Sequence, residues 1–337
     1  MESSSALSRM PIRELCGALG VGRSDVLGIL GSDLSPGRHA DLSPSQVRSV
    51  LSALGMTPAF RTVAVMNLKG GVGKTTSCVS LAARAVQYGI KTCVLDLDAQ
   101  ASATMALGLH PDEDALIFGD VWREPERLLA DALRQVEGSL FVLASALENS
   151  LLDVQLANPA SQKRAVTAVC DVLRREGFGL VVVDCPPSLG AAVISAACAA
   201  NTILIPAAGD AFSLRGIELT VQEVKAIRST FGLPPNEIRI LPTMIDRRQT
   251  LSVGALEKLA RRYGDAMLPG IVRVSTEYSR CLEKRVTVFS SSRRGHGKDD
   301  YDLVTRAVLG LPVPAEPTLA PVLAQGRSLE AEPAALT

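Results

Sequence analysis

The sequence has 337 residues, of which 47% are hydrophobic and 21% are charged, so it can bury a sizeable core in one large domain with additions or in two domains. This composition excludes a chain that is disordered throughout. The chain has 35 basic residues (Lys and Arg) and 35 acidic residues (Asp and Glu). Its net charge therefore does not attract it to nucleic acid or to a membrane, and such partners could bind only at local charged patches.

Composition divides the chain into three zones, which we take as its domains. Residues 1–60 hold short helical patterns broken by Gly and Pro, residues 61–310 alternate apolar runs with amphipathic stretches, and residues 311–337 are rich in Pro and Ala without any period. We therefore predict a small N-terminal helical region, a central α/β domain and a disordered tail.

The N-terminal zone contains a helix–turn–helix spacing over residues 12–30. Cys16 lies four residues before Gly20, which would form the turn, and Arg23 would then face a DNA groove. A further helix is predicted shortly afterwards, with Ser43 as its N-cap and a proline at its first position. The alternative is a small helical dimerisation region without a DNA-binding role.

The central zone predicts a doubly wound domain with a mostly parallel sheet. Its strands are apolar runs rich in β-branched residues, typical of strands buried on both faces. We place them at Arg61–Met66, Thr92–Leu97, Leu140–Leu143, Leu180–Asp184, Thr202–Pro206, Ile238–Met244 and Val286–Phe289. Amphipathic stretches between them are predicted helices: Thr75–Gln87, Ser161–Arg175, Ala191–Ala200, Leu214–Thr230, Val253–Tyr263 and Asp299–Leu309.

A glycine-rich loop follows the first strand and precedes the first of these helices. It reads Lys69-Gly70-Gly71-Val72-Gly73-Lys74-Thr75-Thr76. Glycines let successive backbone N–H groups point at one anion, and the helix N-terminus adds the positive end of its dipole. Lys74 would reach the β- and γ-phosphates, and the Thr75 hydroxyl would ligate Mg²⁺. The loop therefore predicts a nucleotide site that takes ATP with Mg²⁺.

This loop departs from the usual G-x-x-x-x-G-K-[ST] pattern at its start. Leu68 occupies the place of the first glycine, and a second lysine, Lys69, lies five residues before Lys74. In both features it resembles the deviant Walker A ATPases, which include ParA and MinD proteins and the nitrogenase iron protein. In that family the extra lysine reaches across a nucleotide-sandwich dimer to the partner's ATP. The resemblance implies this role for Lys69 and a dimeric ATP state.

Acidic residues lie at the carboxyl ends of two of the predicted strands, Asp96 and Asp98 at one and Asp184 at the other. A single strand-end Asp is usually an N-cap or turn former, but three at the ligand-binding edge of an open α/β sheet favour a functional role. A hydrophobic strand ending in Asp is typical of a Walker B motif, which holds Mg²⁺ directly or through water. The resemblance makes Asp98 the residue that positions the attacking water and Asp184 the Walker B acid. It implies that both carboxylates, with Thr75, form the Mg²⁺ site.

Later segments are similar to ParA proteins in particular, so that the resemblance covers about residues 61–310. The stretch 241–248 resembles the part of ParA that ends beside the adenine, which implies adenine contacts by Met244 and Asp246. The same comparison implies that Arg248 and Arg273 bind DNA without sequence preference, since phosphate-binding patches need only a few cations on one face.

The resemblance implies a Mg²⁺-dependent ATPase for plasmid or chromosome partition. Its ATP dimer would bind DNA, and a ParB-like centromere-binding partner would stimulate hydrolysis and release. Longer plasmid ParA proteins bind an operator through their N-terminal region, so residues 1–60 would be the place for operator binding.

Two alternatives stay open. One is a MinD-like positioning ATPase for a membrane or protein cargo, although five prolines in residues 311–337 disfavour a membrane helix there. The other is a nucleotide-regulated transcriptional repressor.

The expected location is the cytoplasm, on the nucleoid. The seven cysteines form no C-x-x-C pair and most stand in apolar runs, which is typical of reduced, buried thiols. Residues 1–8 lack an apolar signal core, and the apolar runs look too short to cross a bilayer. We therefore expect a soluble intracellular chain with no membrane partner.

Overall fold

The structure is a computed structural model that describes residues 9–31, 40–110, 115–210, 213–290 and 295–314. The predicted disordered tail therefore lies almost entirely outside the described residues. Among those residues, no helix has both the length and the apolar character needed to span a membrane.

The described chain alternates strands and helices. The strands are β1 (Met10–Pro11), β2 (Asp41–Leu42), β3 (Arg61–Val65), β4 (Thr92–Asp96), β5 (Leu133–Glu137), β6 (Leu140–Leu143), β7 (Leu180–Asp184), β8 (Thr202–Ala208) and β9 (Glu237–Thr243). The helices are α1 (Ile12–Leu19), α2 (Arg23–Leu30), α3 (Pro44–Ala53), α4 (Lys74–Gln87), α5 (Ser102–Ala106), α6 (Phe118–Val121), α7 (Pro125–Ala132), α8 (Leu152–Gln155), α9 (Pro159–Arg175), α10 (Ala191–Ala199), α11 (Ser213–Thr230), α12 (Thr250–Tyr263), α13 (Thr276–Glu283) and α14 (His296–Leu309).

Seven strands form the central sheet in the order β5-β6-β4-β7-β3-β8-β9, and all pairs are parallel except β5 with β6. The predicted doubly wound α/β fold is confirmed. The inner strands β4 and β7 are buried along their whole length because helices cover both faces of the sheet. Strand β7 pairs with both β3 and β4, and this register sets Asp184 opposite Val65 on one side and opposite Asp96 on the other.

One predicted strand, Val286–Phe289, is wrong. The segment runs into a short 3-10 turn, Val288–Ser290, in which Val288 and Phe289 pack into the core without joining the sheet. The edge strand β5 is an element that the sequence pattern missed, because its side chains are half-buried or exposed and show no clean alternation.

The N-terminal helices share a core with the α/β domain. One face of the sheet packs against α9, α10, α11 and α12, and the other packs against α4, α14 and the apolar side chains of α1, α2 and α3. The turn predicted at Gly20 is present, with φ of 69° and its N–H donating to the Cys16 carbonyl at 2.9 Å. Ser43 caps α3 as predicted, because its hydroxyl accepts from the Gln46 N–H at 3.3 Å.

A buried arginine joins the N-terminal layer to the rest of the fold. Arg84 on α4 is almost completely buried and contacts Glu14 of α1 at 2.7 Å and Asp302 of α14 at 2.6 Å. It also donates to Gln87 at 2.6 Å and lies over the Tyr88 ring. Since α4 begins at the phosphate loop, the N-terminal helices are attached directly to the element that carries the site.

Candidate functional site

The glycine-rich loop connects β3 to α4 at the carboxyl edge of the sheet. Gly71 and Gly73 have φ of 72° and 88°, the left-handed region that glycine adopts without strain, and Lys74 opens the helix. The Lys74 ammonium donates to the carbonyl oxygens of Asn67 and Lys69, both at 3.1 Å. Burial lowers the pKa of Lys74, and the nearby Asp184 charge opposes that shift. The lysine thus lies across the loop, where a phosphate would bind.

The loop has room for an anion. A Cβ built on Gly70 or Gly71 would meet no atom of the described chain within 4 Å, and one built on Gly73 would only touch Thr243 at 4.0 Å. Gly70 and Gly71 of the predicted loop Lys69–Thr76 therefore face open space just before α4 begins. This arrangement fits a bound phosphate chain.

Lys69 points across the sheet edge to a second loop. Its backbone N–H donates to the Asn67 side chain at 2.9 Å, and Asn67 in turn donates to the Pro206 carbonyl of β8 at 2.8 Å. Its ammonium pairs with Asp210, just after β8, at 2.5 Å. In this chain by itself, the extra lysine is therefore held by an intramolecular ion pair.

Asp184 lies at the end of β7 and faces the first turn of α4. One carboxylate oxygen accepts from the Thr75 hydroxyl at 2.7 Å, and the other accepts from the Cys78 thiol at 3.4 Å. Burial, and secondarily the negative charge of Asp96, raises the pKa of Asp184. Of the three predicted metal-binding residues Thr75, Asp98 and Asp184, the first and the last are thus in contact.

Asp98 lies on the loop that follows β4, and Asp96 shapes that loop. The Asp96 side chain is fully buried and accepts from the Thr104 N–H and hydroxyl, both at 2.8 Å, and from the Asp98 N–H at 3.2 Å. Asp98 is partly exposed, and its carboxylate accepts from the Gln100 N–H at 3.0 Å. The Asp98 charge also helps to raise the pKa of Asp184, so the charges of Asp96 and Asp98 both affect the protonation of Asp184.

Sequence reasoning missed three polar residues that support these carboxylates. Ser145 and Asn149, after β6, are buried: the Ser145 hydroxyl donates to the Asp98 carbonyl at 2.7 Å, and Asn149 donates to Ser145 at 2.7 Å. Cys78 is the third. Small polar residues directly after an apolar strand, as at Ser145, are the signal that would have indicated this position.

The end of β9 contacts the phosphate loop, which places the predicted adenine residues nearby. The Thr243 hydroxyl donates to the Val72 carbonyl at 2.8 Å. The next residue, Met244, has φ of 55° and is exposed. Asp246 accepts two hydrogen bonds from the Arg248 side chain. These bonds, together with one from the Arg248 backbone N–H, lower the pKa of Asp246 to about 2. Adenine contacts by Met244 and Asp246 stay a prediction.

The three arginines proposed for DNA differ in their surroundings. The Arg248 side chain is 87% exposed although it pairs with Asp246. Arg273 lies beside Ile245 in a parallel bridge, but its guanidinium makes a bidentate ion pair with the buried Asp300. Arg23 opens α2 in the N-terminal layer and is half-buried. Arg273 is therefore paired with Ile245, three residues before Arg248 in the segment that follows β9, whereas Arg23 lies on a separate element.

The residues present fit Mg²⁺ as a resident ion beside a nucleotide. Thr75 and Asp184 would hold it, with Asp98 close enough to contribute charge. No three His, Cys, Asp or Glu side chains of the described ranges are grouped to bind a metal by themselves. Mg²⁺ in nucleotide sites usually takes only one or two protein ligands together with phosphate oxygens and water. When bound, the ion would neutralise charge on the phosphates.

A parallel sheet, a phosphate loop with two lysines and two strand-end carboxylates define a P-loop nucleoside triphosphatase of the deviant Walker A class. Residues 60–236 match a family model described as an AAA domain. The chain is 32% identical over 225 residues to the chromosome-partitioning ATPase Soj of Thermus thermophilus, covering 64% of this chain and 83% of Soj. It is 28% identical over 222 residues to the chromosome partitioning protein ParA of Caulobacter vibrioides, with the same shares covered.

The chain belongs to the ParA family of P-loop ATPases. It is therefore an ATPase that uses ATP with Mg²⁺.

Solved structures agree with the fold. An ATP complex of Cyanothece McdA superposes with a TM-score of 0.67 at 19% identity, covering 77% of this chain and all of McdA. The Mycobacterium smegmatis cobyrinic acid a,c-diamide synthase, solved with an ATP analogue and magnesium, gives a TM-score of 0.63 at 26% identity, covering 74% of this chain and 94% of the synthase.

Proposed function

We propose that this chain is a DNA-partition ATPase that acts as an ATP-dependent homodimer on DNA. The proposal rests on the position and contacts of Lys69. It lies at the phosphate loop, its backbone is fixed by Asn67, and its ammonium is available to exchange the intramolecular partner Asp210 for an anion supplied from outside. A phosphate of ATP bound to a second copy is that anion, and it would be reached only when two loops face each other.

The remaining residues of the site have separate roles in ATP hydrolysis. Lys74 and the loop N–H groups bind the phosphates, which favours charge that develops on them. Thr75 and Asp184 would hold the Mg²⁺ ion. Asp98, held in place through Asp96 and Ser145, orients the attacking water. Hydrolysis removes the γ-phosphate and with it the anion that Lys69 contacts across the dimer, so that the dimer separates.

DNA binding by the dimer would use Arg248 and Arg273. Arg248 is the stronger candidate because its side chain is almost fully exposed, whereas Arg273 would have to share its guanidinium with Asp300. Two copies bring two sets of these arginines to one surface, which raises affinity for the phosphate backbone without sequence preference. Nucleotide then controls DNA binding by controlling dimerisation.

The names of the relatives support the biological setting. Soj of Thermus thermophilus and ParA of Caulobacter vibrioides are chromosome-partitioning proteins, so this chain would work in the cytoplasm on nucleoid DNA. Its hydrolysis would be stimulated by a ParB-like DNA-binding partner. Operator binding through Arg23 and the N-terminal helices is a further proposal.

The test is co-sedimentation of the full chain with random-sequence DNA and with anionic liposomes, each with ATP or with ADP. We expect ATP-dependent binding to DNA that weakens with salt, and no binding to liposomes. Arg248→Ala should reduce DNA binding and flatten its salt dependence without changing ATP binding. ATP-dependent binding to liposomes without DNA binding would instead establish the MinD-like alternative.

The repressor alternative needs a separate experiment. Removing residues 1–60 would expose the apolar face of α4, because the N-terminal helices share its core, so a point substitution is the cleaner change. Arg23→Ala should leave binding to random-sequence DNA unchanged. If this substitution abolishes all DNA binding, the chain is chiefly a repressor rather than a partition ATPase.

A further inference from the structure

We propose that Thr220 on α11 is a positioning residue for ATP hydrolysis, because its hydroxyl fixes the orientation of the peptide group that holds the Lys74 ammonium. This group, the Asn67–Leu68 peptide, consists of the Asn67 carbonyl and the Leu68 N–H. The inference goes beyond the proposed function, since it concerns the phosphate loop within one chain and requires neither a dimer nor DNA.

The Asn67–Leu68 peptide is anchored at both ends. Its N–H donates to the Thr220 hydroxyl at 3.3 Å, and its carbonyl accepts from the Lys74 ammonium at 3.1 Å. The peptide is trans and planar, so its carbonyl and its N–H point in opposite directions and turn together. A rotation that breaks the bond to Thr220 therefore also turns the carbonyl away from Lys74.

The Thr220 hydroxyl is oriented to accept this bond. The side chain is almost completely buried, and its hydroxyl donates to the Gly216 carbonyl, one turn earlier in α11, at 2.8 Å. A hydroxyl has a single proton, so once that proton is given to Gly216 only the oxygen lone pairs are left for the loop. Among the described residues, no other atom accepts from the Leu68 N–H. The loop thus depends on Thr220 for this bond.

The surroundings make this bond costly to lose. Thr220 and Leu68 line one narrow cavity together with the apolar side chains of Met66, Val193 and Ile227. A backbone N–H in apolar surroundings loses more free energy without an acceptor than one in contact with water. Removal of the hydroxyl is therefore expected to let the Asn67–Leu68 peptide turn.

A second contact between α11 and the loop lies one turn earlier, at Gly216. A Cβ built on Gly216 would lie 3.2 Å from the side-chain oxygen of Asn67 and 3.4 Å from the Lys69 Cβ. That oxygen accepts from the Lys69 N–H, so even a methyl group at position 216 would press on the start of the loop. Gly216 and Thr220 are four residues apart and thus lie on the same face of α11, which supports the loop at two points.

These contacts also explain how the loop accommodates Leu68, which occupies the place of the first glycine in the usual pattern. Leu68 keeps a negative φ, so the conformational freedom of glycine is not needed at this position. Its N–H is held by Thr220, and the next N–H, that of Lys69, is held by Asn67. Hydrogen bonds to side chains therefore determine the path of the loop here.

The consequence for catalysis passes through Lys74. Its ammonium donates to the carbonyls of Asn67 and Lys69, which hold it at the phosphate loop. If one of these carbonyls turns away, the ammonium loses a partner and shifts. Because the charge that Lys74 meets grows as the phosphate bond breaks, a displaced ammonium should lower kcat more than it raises the KM for ATP. Thr220 would thus act on the reaction through Lys74.

The test compares Thr220→Val and Thr220→Ser with a matched control, Thr305→Val. Valine has nearly the shape of threonine but lacks the hydroxyl, whereas serine keeps the hydroxyl. Thr305 on α14 is also buried, and its hydroxyl donates to the Tyr301 carbonyl four residues earlier at 2.7 Å. Within the described parts of the chain, however, its hydroxyl accepts from no backbone N–H of a loop. The control therefore removes the same group without removing a loop contact.

Steady-state ATPase assays of the full chain with Mg²⁺ give kcat and KM, and urea titrations give the stability of each variant. We expect Thr220→Val to lower kcat about 3- to 10-fold while KM rises about twofold or less. Thr220→Ser and Thr305→Val should keep kcat within about twofold of the wild-type value. A purely structural role of Thr220 would change the urea midpoint and leave kcat as it is.

Amide hydrogen exchange measures the bond itself. The Leu68 N–H should exchange about fivefold faster or more in Thr220→Val, and at the wild-type rate in Thr220→Ser. Gly216→Ala covers the case in which Thr220→Val folds poorly. It keeps the Thr220 hydroxyl, and alanine favours a helix, but the added methyl should displace Asn67 and lower kcat in the same direction.

Each outcome decides the inference. It is overturned by wild-type kcat in folded Thr220→Val, by equal impairment of Thr220→Ser, or by an unchanged exchange rate of the Leu68 N–H. A fall in kcat that Thr305→Val shares would also overturn it, as would wild-type kcat in Gly216→Ala if Thr220→Val does not fold. If the wild-type chain hydrolyses ATP but forms no dimer, the proposed function fails, and the same rate measurements still test Thr220.

Discussion

The ion pair between Lys69 and Asp210 predicts that Asp210→Asn strengthens ATP-dependent dimerisation. The two side chains are 29% and 44% exposed, so solvent screens the pair and its contribution is about 0.5–1 kcal/mol. Lys69 must leave Asp210 to contact a partner's phosphate, and each dimer requires two such exchanges. Removing the competing carboxylate charge should therefore favour the dimer by about 1–2 kcal/mol, a 5- to 30-fold fall in the dissociation constant.

The assay is sedimentation velocity with Mg²⁺ and a non-hydrolysable ATP analogue over a range of protein concentrations. Asp131→Asn, at an exposed position on α7, is the control for the loss of one negative charge and should leave the dissociation constant unchanged. The advantage of Asp210→Asn should shrink at high salt, because screening weakens the ion pair in the wild-type chain. Weaker dimerisation in Asp210→Asn would refute the reasoning, since Asp210 would then be needed within the dimer.

Three further predictions concern the site and its support. Cys78→Ala removes a donor to Asp184 and should raise the Mg²⁺ concentration for half-maximal ATPase activity about two- to fivefold, whereas Cys78→Ser should restore it; equal values in all three proteins would contradict this role. Burial raises the pKa of both Asp96 and Asp184, so the folded nucleotide-free protein keeps protons that the unfolded chain releases at about pH 4. Its urea midpoint should therefore fall as the pH rises from 4 to 7, and Asp184→Asn should reduce this slope; an unchanged slope would contradict the assignment. Arg84→Met removes one of the two arginines that pair with the buried Asp302 and leaves Arg306 as its remaining cation. It should lower the free energy of unfolding by about 1.5–3 kcal/mol in urea titrations, and a loss as small as that of the exposed Arg127→Met would contradict it.

The sequence predicted the parallel sheet and the phosphate loop because both depend on local pattern. Runs such as Leu180–Asp184 are buried on both faces, so every residue in them is apolar up to the strand end. The loop needs glycine at fixed positions and a helix behind it, and these requirements are visible in the order of residues. The acids at the strand ends followed from the rule that ligands bind at that edge.

The features that the sequence did not predict depend on contacts between distant segments. Val286–Phe289 resembles a strand in composition, yet Val288 and Phe289 pack into the core from a turn, and only the tertiary structure distinguishes these cases. The Asp210 partner of Lys69 is 141 residues away, and the Glu14 partner of Arg84 is 70 residues away. Neither pairing could be chosen from many exposed carboxylates without the fold.

The most direct test of the central claim is whether Lys69 acts across a dimer. Sedimentation velocity of the wild-type chain and of Lys69→Ala, with Mg²⁺ and the ATP analogue, measures the dimer, while a fluorescent nucleotide measures binding to the monomer. We expect Lys69→Ala to keep measurable nucleotide binding but to sediment as a monomer at concentrations where the wild-type chain is dimeric. If Lys69→Ala dimerises as the wild-type chain does, the proposed switch is contradicted.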